Sequence, residues 1–323
     1  METRGYWGDL IGGVGVEIAE VFDQGQEEYQ PGIGEVLMVQ SVGGAQETYT
    51  GKTGAGELKK TEEGDEVGKT QRYRSYKTTV AWLKYSNAIE VTREQIEDRD
   101  FAAALDEMKD LSISANFSQD RAGMQLFNGG FATTVGVNGY DMTWYGDGKP
   151  LFSTVHPTQV PGASTQSNAS STGAPFDADS LEDAHVNLVE QQTDDGIPMA
   201  LLGKPRLVLP PALQKEGLEI TQSELDPESA ENAINVFKNG MGTDMAVSTF
   251  LGAANGGSNT AWFLVVPGRA KLMHLVRQAP RLDQDRNINN QVLTFTVDAR
   301  WANAVKDWRR SYGSKGDSAT YSS

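Results

Sequence analysis

Three side chains between residues 147 and 156 have the types that serine hydrolases use. Asp147, Ser153 and His156 lie in the stretch DGKPLFSTVH and would supply the acid, the nucleophile and the base. A serine nucleophile also needs a strained turn that presents it, commonly G-x-S-x-G, whereas Ser153 lies in LFSTV. Pro157 follows the histidine and favours a turn. These residues therefore favour a structural role, with a soluble serine hydrolase as the alternative.

Other kinds of chemistry have weak support in the sequence. His185 and His274 have no second histidine at the H-x-x-x-H spacing of a zinc site, and the chain contains no cysteine. GKTGAG lacks the order of a phosphate-binding Walker loop, and GGVGVE lacks both a preceding strand and the spacing G-x-G-x-x-G. We therefore predict no catalytic residue, no metal and no cofactor.

The charge balance limits the partners of the chain. Its 323 residues include 44 acidic and 28 basic side chains, for a net charge of −16. This charge opposes tight binding to phosphate backbones, so DNA is expected only as something enclosed without being gripped. No run of eighteen apolar residues and no signal peptide occurs, which predicts no membrane segment. The absence of cysteine fits folding in a reducing cytoplasm.

The first quarter of the chain divides into two regions. Residues 1–34 mix short apolar clusters with many glycines, which predicts an arm that lies on another surface and argues against a long helix. Residues 35–91 are strand-like, since EVLMVQSV and TQRYRSYKTTVAWLKYSNAIEV are rich in β-branched and aromatic residues. The glycine- and charge-rich stretch between them predicts a long hairpin with a solvated tip.

A helical pattern begins abruptly after Thr92. Thr92 and Gln95 have the spacing of a capping box, and acidic residues crowd the first turns. Apolar residues then recur at steps of three, four and seven, which predicts one helix over 93–127. Its stripe consists of Phe101, Ala104, Leu105, Met108, Leu111, Ala115, Ala122 and Leu126.

The remainder alternates loops, helices and strands. Residues 146–180 predict a loop, exposed from 158 onward because TQVPGASTQSNASSTGAPFDADS is low in complexity. A moderate helix is expected from about Ser180, and strands at RLVL, AWFLVV and QVLTFTVDARW. Strands and helices interleave without βαβ regularity, which predicts an α+β fold.

Taken in order, four stretches resemble the major capsid proteins of tailed phages, and in particular their Mu-like head-subunit branch. The stretches are AIEVTREQIEDRDF, DGKPLFSTVHP, LVLPPAL and FTVDARWANAVKDWRRSYGSKGD, and the resemblance spans residues 35–317. It implies the fold named after phage Hong Kong 97, with an N-terminal arm, an extended β-hairpin called the E-loop, a long spine helix, and peripheral and axial domains. In such proteins LFSTVHP is similar to a recurring turn, which implies a structural role for His156.

The resemblance also implies a division of the chain. The N-terminal arm is expected at 1–34, the E-loop with its supporting strands at 35–91, the peripheral domain at 92–203, the axial domain at 204–285, and a return to the peripheral domain with a C-terminal tail at 286–323. Residues 1–34 are too short and too rich in glycine for the cleaved scaffolding segment of some relatives. We therefore expect either a separate scaffolding protein or a chain that begins after the cut.

The function that the resemblance implies is structural. Copies of the chain are expected to assemble into pentamers and hexamers of an icosahedral virion shell around double-stranded DNA, after folding in the host cytoplasm. Scaffolding, portal and decoration proteins are further implied partners. The candidate inter-subunit contacts are Lys59, Lys60, Glu62 and Glu63 in the expected E-loop. Some relatives are cross-linked through lysine and asparagine, but no motif identifies either residue here.

Overall fold

The computed structural model describes residues 3–52, 60–64, 66, 73–98, 102–199, 203–224, 235, 237–238, 243–287 and 291–321. Its α-helices are α1 (Thr3–Glu28), α2 (Arg93–Glu97), α3 (Ala102–Asn128), α4 (Ala178–Glu190) and α5 (Gln214–Gln222). Its strands are β1 (Met38–Ser41), β2 (Gln46–Lys52), β3 (Arg74–Ala81), β4 (Leu83–Val91), β5 (Gly136–Val137), β6 (Tyr140–Thr143), β7 (Arg206–Leu209), β8 (Asp244–Val247), β9 (Trp262–Val265), β10 (Lys271–Asn287), β11 (Val292–Asp307) and β12 (Ser311–Ser314). Short 3₁₀ turns cover Gly32–Glu35, Pro211–Leu213, Thr249–Leu251 and Ala253–Asn255.

Three sheets organise the described part of the chain. The largest has the order β1-β10-β11-β6-β5, and β4 also pairs with β11. A second sheet has the order β12-β9-β7-β8, and β2 pairs with β3 in a separate two-stranded sheet. Parallel and antiparallel pairs occur together, and helices pack on the sheets without a repeating βαβ unit. The predicted α+β class is confirmed.

The long antiparallel pair β10–β11 forms the frame of the largest sheet. β11 alternates as its sequence predicts, because Leu293, Phe295 and Val297 are buried on one face. These three residues pack against α1, α2 and α3 in one apolar cluster. The adjacent strand β4 is paired to β11 along its whole length, from Leu293 opposite Val91 to Trp301 opposite Leu83. The sheet therefore holds the helices against one of its faces.

The prediction that residues 1–34 contain no long helix is wrong. α1 is a helix of 26 residues despite its glycines, each of which costs a helix about 1 kcal/mol relative to alanine. Val14, Ile18 and Phe22 recur at four-residue steps and are buried against the region around α3. A Cβ on Gly25 would lie 2.7 Å from Cβ of Ser112, so glycine is what permits this close approach. Tertiary packing has overridden intrinsic propensity.

The prediction of one helix over 93–127 is wrong at its start. The capping box of Thr92 and Gln95 is confirmed, but α2 ends at Glu97, with Asp98 as its C-cap. Aspartate competes with the backbone for hydrogen bonds and is a poor residue for a helix interior. α3 then runs without interruption to Asn128. Ala104, Met108, Leu111, Ala122 and Leu126 of the predicted stripe are buried, Leu105 and Ala115 are half-buried, and Phe101 lies outside the described residues.

The segment between β6 and α4 contains no named helix or strand, as expected of a loop. The prediction that it is exposed from residue 158 is wrong, because Asn168 and Ala169 are buried. His156 and Gln166 form a backbone bridge that folds the segment on itself. Low sequence complexity did not predict this, because the burial depends on contacts with residues more than a hundred positions away.

A second apolar cluster lies under the four-stranded sheet. Leu181, Ala184 and Leu188 of α4 pack there with strands β7 and β9 and with helix α5. The expected domain boundary between residues 203 and 204 would divide this cluster. In the described part of the chain, no helix is long and apolar enough to cross a membrane.

Candidate functional site at Asp147, Ser153 and His156

The structure brings Asp147 and His156 together. Nδ1 of His156 lies 2.7 Å from Oδ2 of Asp147, and both side chains are at most 1% exposed. The other carboxylate oxygen of Asp147 accepts a hydrogen bond from the backbone N–H of Lys149 at 3.0 Å. This pair is the acid and base that the sequence suggested, but water and substrate do not reach it.

The second ring nitrogen of His156 faces an amide oxygen. Nε2 lies 3.1 Å from Oδ1 of Asn168. The orientation of that amide is fixed, because its Oδ1 accepts from the backbone N–H of Ser153 at 2.9 Å and its Nδ2 donates to the carbonyl of Leu151 at 2.9 Å. Nε2 must therefore donate a hydrogen bond to Asn168. A general base would need a free lone pair on this nitrogen.

Ser153 is placed as a structural residue. It is fully buried, and its Oγ accepts a hydrogen bond from the backbone N–H of Val155 at 3.0 Å. The ring nitrogens of His156 are directed to Asp147 and Asn168, so the arrangement lacks the serine–histidine contact of a catalytic triad. The structure thus brings Asp147 and His156 together without Ser153, and their contacts have a structural role.

The contacts of His156 join segments that are distant in the chain. The ring of His156 stacks on Trp308 with centroids 4.1 Å apart and planes 6° apart. Asn168 donates to the carbonyl of Trp308, and the hydroxyl of Ser311 donates to the same carbonyl. The cluster of Asp147, His156, Asn168 and Trp308 therefore pins the loop before α4 to the connection between β11 and β12. Asn168 and Trp308 have no motif that would have identified them in the sequence.

An adjacent ion pair strengthens the same junction. The buried guanidinium of Arg309 binds the carboxylate of Asp194, and its Nε donates to the carbonyl of Gln192 at 2.8 Å. Nη1 of Arg309 also lies 3.2 Å from Oδ1 of Asp307. Buried charges of this kind persist when they are paired and hydrogen bonded. Together these contacts fasten the end of β11 to the segment after α4.

The other two histidines have structural surroundings. His274 in β10 is buried, with Nδ1 2.7 Å from Oδ1 of Asn303 and Nε2 3.4 Å from Oε1 of Gln119, and burial lowers its pKa. His185 in α4 is partly buried, which also lowers its pKa. Within the described ranges no three metal-ligating side chains form a group that would hold a metal ion.

A polar seam joins the end of α1 to α3. Its three members on α3, Ser112, Asn116 and Asp120, are four residues apart, so they share one helix face. The Ser112 hydroxyl donates to the carbonyl of Phe22 at 2.6 Å, and Nδ2 of Asn116 donates to the carbonyl of Tyr29 at 2.7 Å. The seam had no recognisable signal in the sequence, since polar residues are expected on an exposed face.

Asp120 is the strongest acceptor in this seam. Its carboxylate accepts from the Tyr29 hydroxyl at 2.7 Å and from the backbone N–H groups of Gly32 at 3.1 Å and Ile33 at 2.8 Å. Burial raises the pKa of Tyr29 to about 12, and the hydrogen bond and negative charge of Asp120 add to the rise. One carboxylate therefore fixes the point where the chain leaves α1 for the first strand.

The candidate contact residues lie between β2 and β3. Lys60, Glu62 and Glu63 are exposed and form no ion pair with the described residues, whereas Lys59 lies outside the described ranges. The base of this excursion is anchored, because Val80 of β3 is buried against a cluster from β10 and β11. The hydroxyls of Ser75 and Tyr145 also lie 2.8 Å apart.

Comparisons of sequence and of structure with known proteins both identify phage capsid proteins as similar to this chain. A family model described as "Phage capsid protein" matches residues 75–313. The mature capsid of bacteriophage PhiM1 is similar in structure with a TM-score of 0.51 and 11% identity, covering 88% of this chain and 86% of that chain. The capsid of Myoviridae phage XM1 has a TM-score of 0.50 and 10% identity, covering 84% and 85%. A search of curated proteins found no match.

Proposed function

This chain belongs to the phage capsid protein family, and we propose that its copies assemble into pentamers and hexamers of a closed icosahedral shell around double-stranded DNA. It is a structural capsid subunit with the Hong Kong 97-type fold, and the family match over residues 75–313 is the observation that carries this conclusion. Assignment to the Mu-like branch stays a prediction.

We propose that the chain has no catalytic turnover. The contacts of His156 support this proposal, because both ring nitrogens face oxygen atoms of residues other than Ser153. The seclusion of Asp147 and His156 from solvent supports it as well. Neither the family match nor the geometry favours the serine hydrolase alternative.

The proposed domain division follows the regions expected from the sequence. Residues 1–34 are the arm, 35–91 the E-loop with its supporting strands, 92–203 and 286–323 the peripheral domain, and 204–285 the axial domain. The separate β2–β3 sheet supports the assignment of an E-loop, because a two-stranded excursion is marginal in water without a surface to lie on. Within the region 92–203, α4 packs in one apolar cluster with β7 and β9, so it lies at the contact between the two proposed domains.

We further propose that the E-loop tip contacts a neighbouring subunit through Lys59, Lys60, Glu62 and Glu63. The exposed, unpaired charges of the three described members support this role. Scaffolding, portal and decoration proteins are proposed as additional partners. The net charge of −16 supports a shell that encloses DNA without gripping it.

Particle formation by the purified protein tests the proposed function. The chain is expressed alone and with the scaffolding protein of its own phage, and the product is examined by sedimentation and negative-stain electron microscopy. We expect closed particles or capsomer rings. A folded protein that stays monomeric at high concentration under both conditions would contradict the proposal.

A further inference from the structure

Two basic side chains lie directly opposite each other on neighbouring strands. Lys84 of β4 pairs with Arg300 of β11 in antiparallel register, and both residues are exposed. Side chains paired in this way project from the same face of the sheet, and like charges in this position repel each other. The pair is therefore unfavourable in an isolated subunit unless a carboxylate lies close to it.

Among the described residues, no carboxylate forms an ion pair with this basic pair. Neither Lys84 nor Arg300 forms an ion pair or a hydrogen bond with the side chains that the structure describes. Asp298, two residues before Arg300 on the same face of β11, is buried and already engaged: Nε of Arg281 lies 3.1 Å from its Oδ1, and Nε2 of Gln278 lies 2.8 Å from its Oδ2. In a chain of net charge −16, the unneutralised pair indicates a surface for an acidic partner.

The outward face of α4 has the opposite charge. Its exposed residues are Asp179, Glu182, Asp183, Val186, Val189 and Glu190. Their spacing of three and four places them on one side of the helix, and the two valines are 43% and 44% exposed. α4 contains no lysine or arginine, and Glu190 lies in the last turn, where the helix dipole disfavours negative charge. A basic partner would relieve both effects.

Assembly of identical subunits into rings requires such a complementary pair of surfaces. A head-to-tail contact joins two different patches, and both patches must be present on every copy. We propose that the basic pair Lys84 and Arg300 of one subunit docks on the acidic face of α4 in a second copy. This inference rests on the proposed function. The acidic stretch of β10 fits less well, because Arg281 and Arg286 flank Asp283 and Asp285.

Charge reversal tests the contact. The variant K84E/R300E reverses the basic pair, E182K/D183K reverses the centre of the acidic face, and a third variant combines all four changes and keeps the net charge of the wild type. K204E/K215E is the matched control. It replaces two basic residues with glutamate, as K84E/R300E does, but at two exposed lysines elsewhere on the subunit. Circular dichroism verifies folding, and if K84E/R300E fails to fold, the milder K84Q/R300Q replaces it.

We expect each reversal to lower the yield of closed particles at least tenfold, with recovery in the combined variant and near wild-type yield in the control. Single exposed ion pairs are weak, but a shell repeats each of them many times. Normal particles from K84E/R300E, or no recovery in the combined variant, would overturn the inference. A wild type that forms no particles would instead contradict the proposed function, and this contact would fall with it.

Discussion

Single buried polar residues hold together parts of this capsid subunit that are distant in the chain. Asp120 receives three hydrogen bonds from the segment 29–33, and Asn168 links His156 to Trp308. Buried polar groups stabilise a fold only when their partners are in place, so the loss of one member leaves the others unsatisfied. Substitutions at these positions should therefore be costly although none of them is catalytic.

Replacing His156 with alanine should destabilise the subunit without affecting any turnover. The change leaves the buried carboxylate of Asp147 without its partner, which typically costs about 3–5 kcal/mol. Urea unfolding followed by circular dichroism measures the loss, and H185A at the partly buried His185 is the control, with an expected cost below about 1 kcal/mol. Ester hydrolysis by the wild type that disappears in both S153A and H156A would show that the hydrolase alternative is correct.

Replacing Asp120 with asparagine should weaken the junction between α1 and α3. Hydrogen bonds to a charged group contribute about 1.5–3 kcal/mol each, so we expect the free energy of unfolding to fall by at least about 2 kcal/mol. D110N changes an exposed carboxylate on the same helix and should cost less than about 0.5 kcal/mol. Equal effects of the two substitutions in urea titrations would show that the seam contributes little.

The same contact predicts a pH dependence. Because burial, and to a lesser extent Asp120, raise the pKa of Tyr29 from 10.0 to about 12, the folded state holds this proton more tightly than the unfolded chain does. The stabilisation is fully present below pH 10 and is lost as the pH rises towards 12. Ultraviolet difference titration of wild type against Y29F should show one tyrosine ionising near 12, and in D120N its pKa should move back towards 10. An unchanged titration in D120N would exclude Asp120 as a cause.

At the scale of elements, α3 is a spine held by two kinds of contact. Apolar residues such as Met108 and Leu111 pack in a cluster with α1 and the sheet, and the polar seam from Ser112 to Asp120 fixes the end of α1. The separate β2–β3 sheet is held to the rest of the subunit through Val80 and through the contact between the hydroxyls of Ser75 and Tyr145, whereas the described residues of its tip are exposed. We therefore expect α3 to determine the stability of the subunit and the β2–β3 excursion to determine its assembly.

Met108→Ala tests the apolar half of the spine. Met108 is fully buried, and truncating such a side chain typically costs about 2–5 kcal/mol through lost burial and the cavity left behind. L105A should cost less, since Leu105 is only half-buried, and E107A at an exposed position serves as the control. Chemical unfolding of the three variants should give this order. A cost for M108A as small as that of E107A would show that this stripe is not part of the core.

Deleting residues 57–69 tests the tip of the excursion. If the tip is an ordinary solvent-exposed loop, its removal should leave both the fold and the particles intact, because exposed loops tolerate deletion. If it lies on a neighbour, the subunit should keep its helix content by circular dichroism while closed particles disappear. A variant that replaces 57–69 with glycine and serine at equal length separates the effect of side chains from that of length. Normal shells from both variants would contradict the proposed contact.

At the scale of the whole molecule, net charge governs the relation to nucleic acid. A surplus of 16 negative charges repels the phosphate backbone, so counterion release cannot drive tight binding. We expect no detectable shift of a double-stranded DNA fragment by micromolar subunit at 50 mM salt, with a basic DNA-binding protein as the positive control. Tight binding that weakens steeply with added salt would reveal a basic surface strong enough to outweigh the overall charge.

Much of the fold was readable from local pattern. The alternation of Leu293, Phe295 and Val297 predicted β11, and the recurrence of Met108 and Leu111 predicted most of α3, because side-chain period and burial are linked within one element. The α+β class and the capsid family followed from the order of short stretches along the chain. The capping box at Thr92 was also predicted, since all its atoms lie within four residues.

Only the tertiary structure decided the rest. The glycines of α1 predict against a helix by intrinsic propensity. In the fold, however, Gly25 lies against Ser112, and the absence of a Cβ permits this close packing of α1 on α3. Asp147, Ser153 and His156 match a catalytic triad by residue type, yet Nε2 of His156, which a general base would direct at the serine, is hydrogen bonded to Asn168. Each of these outcomes depends on a partner from another part of the fold, and residue type together with local spacing does not specify which distant donor or acceptor a side chain will meet.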